Sequence, residues 1–149
     1  MIIYPDLDTL RELYSNYTYK QIKENNEIVL INPFYETTDS VRQVLSDKAK
    51  SRPDVSKHEK EGALIIADSL EEYIGKQPHI YFEKNLANHA KMRKNGISVL
   101  ADMGAYTHKS MYNELVDYEV SLPTKCERQV RGFCLYHQKD FEKFSDEQN

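Results

Sequence analysis

The sequence predicts an α/β fold with a mostly parallel sheet and helices on both faces, on the strength of three observations. The runs Ile28–Ile31, Ala63–Ala67 and Ile97–Ala101 are apolar almost throughout and rich in β-branched residues, as strands covered on both faces are. Amphipathic stretches with helical periodicity separate them. Each run ends in a polar loop suited to open a helix: Asn32–Thr38, Asp68–Ser69 and Asp102–Gly104. Strands alternating with helices imply right-handed crossovers and parallel pairing. With 149 residues and 40% hydrophobic content, residues 1–149 are expected to form one domain with a sizeable core.

In chain order, residues 6–24 read as helix, because Leu7, Leu10, Tyr14 and Tyr17 fall on one stripe. A break is expected near Ser15-Asn16, with Thr18 and Gln21 as the capping box of a second short helix. Strand Ile28–Ile31 follows and stops at Pro33. Thr37 or Thr38 caps the next helix, whose buried face carries Val41, Val44 and Leu45. Ser46–Val55 reads as a solvent-facing connection, and Ser56–Glu59 as the cap of a single helical turn before Gly62.

Strand Ala63–Ala67 leads to a short helix capped by Ser69 with Glu72 and closed by Gly75. Pro78 opens a longer helix to Lys94. Strand Ile97–Ala101 precedes a helix with the stripe Met111, Leu115, Tyr118 and Leu122, ended by Pro123. The fourth strand, Val130–Tyr136, is followed by a polar segment containing Phe141 and Phe144 that reads as helix.

Composition excludes several functions. The net charge is -4 and the basic residues are scattered, so no face is suited to a nucleic-acid backbone. No apolar run reaches the ~18 residues of a membrane helix, and the N-terminus lacks a charged-then-apolar leader. A cytoplasmic location is therefore expected. Cys126 and Cys134 form neither a disulfide framework nor a Cys-x-x-Cys pair, and Cys134 reads as a packed small hydrophobe. His58 beside Glu59 and Glu61 has a metal-like composition, but so short a turn does not converge on one ion, so no metal site is expected.

Ligands of open parallel sheets sit beyond the carboxyl ends of the strands. The rim there offers Asn32, Phe34, Tyr35, Thr37 and Thr38 after the first run, Asp68 after the second, Asp102, Met103 and Tyr106 after the third, and His137 after the fourth. Three readings compete for these residues. A phosphate site with Asp102 on magnesium needs glycines and a lysine, and Asn32–Thr38 has neither. A general acid/base site using His137 with Asp102 or Asp68 lacks any accompanying nucleophile signature. A pocket for a small molecule, walled by Phe34, Tyr35, Met103 and Tyr106, demands least of the residues.

Several segments together resemble a known family. They are Glu27–Thr38, Gly62–Ser69 with Tyr73-Ile74-Gly75, Gly96–Met103, the Tyr118-Glu119 pair with Leu122-Pro123, and Gly132–Tyr136. In order and spacing they resemble the MEDS domain (methanogen/methylotroph, DcmR sensory domain). The resemblance implies a three-layer, RecA-like α/β fold related to KaiC-type ATPases but without a working phosphate loop. It implies a non-enzymatic sensory role in prokaryotic signal transduction and transcription regulation, with no cofactor. The partner is then a small organic signal molecule, or a histidine kinase or transcription regulator, and self-association into a homo-oligomer is left open. The family pattern extends past Asn149, which implies a further C-terminal helix or strand. The alternative from another class is a divergent RecA- or KaiC-like domain that binds or hydrolyses a nucleotide, and a purely structural interaction module is a third.

Overall fold

Five strands, all parallel, form one sheet in the computed structural model, which describes residues 1–48, 54–74, 91–122 and 130–147. The chain runs through β1 (Ile2–Tyr4), α1 (Leu7–Lys23), β2 (Glu27–Asn32), α2 (Thr38–Lys48), α3 (Val55–Lys60), β3 (Leu64–Ile66) and α4 (Ser69–Tyr73). It continues through β4 (Gly96–Asp102), α5 (Gly104–His108), α6 (Tyr112–Ser121), β5 (Val130–His137) and α7 (Gln138–Glu147). Across the sheet the order is β1-β5-β4-β2-β3. This is the expected three-layer α/β fold.

Side-chain alternation along the strands builds the layers. Val29 and Ile31 of β2, Leu64 and Ile66 of β3, Leu100 of β4 and Leu135 of β5 point to one face, where they pack with Leu10, Tyr14 and Ile22 of α1 and Val41 and Leu45 of α2. Ile28 and Leu30, Ile97, Val99 and Ala101, and Cys134 and Tyr136 point to the other, against Tyr73, Tyr106 and Leu115. Two cores therefore share one sheet, which is why β2 and β4 are buried at every position. Burial pushes the Cys134 thiol up to about 12, so it behaves as the packed hydrophobe the sequence predicts.

The connections whose crossover helices are described obey one hand. Steps toward the β3 edge, from β1 through α1 and from β2 through α2 and α3, cross the first face. The step back from β4 to β5 uses the opposite face, where α5 and α6 pack. Chain leaving β2 and chain leaving β4 therefore diverge, and the sheet has its topological switch point between these two strands.

Several local expectations are corrected. Strand β1 escapes the sequence reading, because three residues without a periodic pattern carry no strand signal; it pairs in parallel with β5, Ile2 facing Leu135. Helix α1 is continuous through Ser15-Asn16, and Thr18 lies fully buried inside it instead of capping a second helix. Packing of Leu10, Tyr14, Thr18, Gln21 and Ile22 on one stripe outweighs the weak local propensity. In place of the connection expected over Ser46–Val55, α2 extends to Lys48 and Val55 is buried in the first core; residues 49–53 lie outside the described residues.

The cap of α3 is Asp54, which accepts the Lys57 N–H at 3.0 Å, and not Ser56. His58 is buried, with burial and then Lys23 lowering its pKa, and among the described residues no group of three or more potential metal ligands gathers. The stripe Met111–Leu122 belongs to a helix separate from α5, the two divided by Ser110 in the left-handed region (φ 53°). Most of the helix expected from Pro78, and Cys126, fall outside the described residues. Among the described residues no helix is long and apolar enough to cross a membrane.

Candidate functional site

Three loops meet at the carboxyl rim of β2, β3 and β4, and hydrogen bonds between them fix their relative positions. The Ser69 N–H donates to the Pro33 carbonyl at 3.0 Å, and Asn32 Nδ2 donates to the Ala67 carbonyl at 3.0 Å. Ser69 Oγ donates to the Asp102 carbonyl at 2.6 Å, tying the β3 loop to β4. The cap of α4 is consequently Asp68, whose Oδ1 accepts the Glu71 N–H at 3.1 Å, and not Ser69 as the sequence suggests. Ser69→Ala removes a buried bond between two loops and is expected to cost about 1 kcal/mol in urea unfolding.

The crevice at the switch point is closed by the protein's own side chains. Asp102, 1% exposed, lies at its floor. Its Oδ2 accepts the Tyr4 hydroxyl at 2.6 Å and its Oδ1 the Gly104 N–H at 2.8 Å. Burial nevertheless dominates these two bonds and raises the Asp102 carboxyl to about 6. The rings of Phe34 and Tyr35, packed edge to face at 4.9 Å, cover Gly104. Tyr35 donates its hydroxyl to Asp140 on α7, and its ring meets His137, which in turn meets Tyr4. Phe34 also lies against His108 of α5.

Open volume lies one strand over, between the β2 and β3 loops. A groove of about 600 Å³ is lined by Phe34, Tyr35, Glu36, Thr37 and Thr38 on one side and Ile66, Ala67, Asp68 and Glu71 on the other. Thr37 Oγ1 caps α2 by accepting the Ser40 N–H at 3.1 Å. Glu36 is buried and accepts three hydrogen bonds: from Arg11 Nε at 2.8 Å, Ser40 Oγ at 3.0 Å and the Tyr14 hydroxyl at 3.2 Å. That network pins the loop to α1. It also pushes the Tyr14 hydroxyl up, through burial first and then the Glu36 charge.

Of the residues expected at the rim, Phe34, Tyr35, Thr37, Thr38 and Asp68 share the groove. Asn32 and Asp102 are buried behind it. Met103 and Tyr106 turn into the second core, because α5 starts directly after β4 and carries them inward. His137 stands at the end of β5, between Tyr4 and Tyr35. Sequence reasoning missed Tyr4 and Asp140, whose partners stand far away in the chain, and Glu36, which is held by Arg11 and Tyr14 of α1 as well as by Ser40. Only the loop position of Glu36, inside Asn32–Thr38, offered a signal. Comparisons with protein-family models, with curated proteins and with solved structures each return no match.

Proposed function

We propose that this chain is a non-enzymatic, cytoplasmic sensory or regulatory domain that takes a small organic molecule into the groove at its carboxyl rim. The observation that carries the reading is the groove itself, of about 600 Å³, a volume within the range of small-molecule sites. Two aromatic rings supply apolar wall, while Thr37, Thr38 and Asp68 supply polar groups for orientation. The groove lies beyond the carboxyl ends of the strands, one strand away from the switch point where open parallel sheets bind ligands. Signalling then requires the occupied groove to be read by a kinase or transcription regulator, as the MEDS resemblance implies. Among the described residues, the groove lining holds no lysine, arginine or glycine to meet a triphosphate, which weighs against the nucleotide alternative.

Native mass spectrometry of the purified protein tests the reading. A retained organic mass is expected in the wild-type chain and is expected to be lost in Ala67→Trp, whose side chain fills the groove. Retention by both proteins places the ligand elsewhere and overturns the assignment. Calorimetry with ATP or ADP and magnesium is expected to show no micromolar binding, and micromolar binding abolished by Asp102→Ala overturns the sensor reading.

A further inference from the structure

The same two rings that wall the groove also roof the Asp102 crevice, so Phe34 and Tyr35 stand between an open volume and a closed one. The chain on either side of them is anchored. Before them, the Pro33 carbonyl accepts the Ser69 N–H; after them, Glu36 is held by Arg11, Tyr14 and Ser40, and the Thr37 carbonyl accepts the Val41 N–H at 3.1 Å. Between these anchors, the side-chain hydrogen bond from Tyr35 to Asp140 ties the roof to a different element, α7. Tyr35 is 40% exposed, whereas Asp140 and Asp102 are buried. Glycine at position 104 is what permits the roof to close, since a Cβ there would press on Phe34 Cδ1 and stand 2.9 Å from Tyr35 Cε2.

We propose that Phe34 and Tyr35 form a gate, latched by the Tyr35–Asp140 hydrogen bond, whose opening joins the rim groove to the Asp102 crevice in one deeper pocket. The inference rests on the groove reading for what enters, but the gate operates without ligand and is tested without it. In the closed state the Gly104 N–H is sealed beneath the rings on Asp102 Oδ1. Opening brings water to that bond and leaves the central strands paired. The gate gives a sensory groove two states of different depth, which a ligand reaching Asp102 would bias.

Residue-resolved amide exchange by NMR on the ligand-free chain, comparing Tyr35→Phe, Asp140→Ala and the double variant, reads the latch directly. Each single variant is expected to speed Gly104 exchange about tenfold, the scale of one lost hydrogen bond. The double variant is expected to add nothing further, and Val99 and Leu100 of β4 are expected to keep their rates. Unchanged Gly104 exchange in either single variant overturns the gate. So does an acceleration shared equally by Val99 and Leu100, which reports general loosening. Neither result bears on whether wild-type protein retains a ligand that Ala67→Trp loses, so failure of the gate and failure of the groove assignment are distinguishable.

Discussion

Gly104→Ala is expected to destabilise the protein by about 2 kcal/mol, although alanine is the better helix former. The propensity gain in a helix interior is worth about 1 kcal/mol at most, and position 104 opens α5. Against it stands overpacking, which costs about 1–3 kcal/mol when rings must leave their minima. The new methyl group would meet Phe34 and Tyr35 and lie 3.0 Å from Asp102 Oδ1. Phe34 has little room to retreat, with Tyr35 on one side and His108 5.6 Å away on another. Urea unfolding of Gly104→Ala, Phe34→Ala and the double variant measures the effect as a cycle. The two substitutions are expected to be non-additive, the smaller residue at 34 relieving most of the cost at 104. Full additivity would show that the rings do not rest on Gly104 in solution.

Asp102→Asn is expected to change the pH dependence of stability more than stability itself. In the folded chain the carboxyl holds its proton up to about pH 6, and in the unfolded chain only to about pH 4. Between these values the folded state binds the extra proton. The stabilisation linked to this group is therefore complete below about pH 4 and is lost as pH rises through about 6. The two-unit difference corresponds to about 3 kcal/mol. Asparagine keeps the shape, can accept the Gly104 N–H and can donate to the Tyr4 hydroxyl, but does not titrate. The wild-type chain should therefore lose about 2–3 kcal/mol more than the variant between pH 4 and pH 7.5 in matched urea titrations. Parallel pH profiles would place Asp102 in a more solvated setting.

How much of the fold is legible in the sequence depends on the distance over which the information acts. Ile28–Ile31 and Ile97–Ala101 announce buried strands by composition alone, and both lie in the middle of the sheet. Thr37 announces the start of α2 because an N-cap is a contact three residues long. The same locality misleads at Ser69, a good cap by type, because Asp68 does the capping while the serine hydroxyl reaches β4. Phe34, Tyr35, Thr37, Thr38 and Asp68, to which the general rule for strand ends points from the order of elements alone, line one groove. Tyr4 and Asp140 escape that rule. Their partners Asp102 and Tyr35 lie 98 and 105 residues away, and no local periodicity encodes such a pairing. Met103 and Tyr106 stand in the right loop by number, yet whether a side chain there faces ligand or core is decided by where α5 begins.

Strand β1 adds a consequence for assembly. It is three residues long, pairs among the described residues with β5 alone, and aligns the start of the sequence with a strand more than 130 residues on. Closing so long a loop is entropically late, so the rest of the sheet is expected to form before β1 docks. Until it does, β5 presents an open row of backbone donors and acceptors, the feature that templates pairing between chains. The Tyr4–Asp102 bond holds the strand on the sheet, and weakening it is expected to leave the β5 edge uncovered more often.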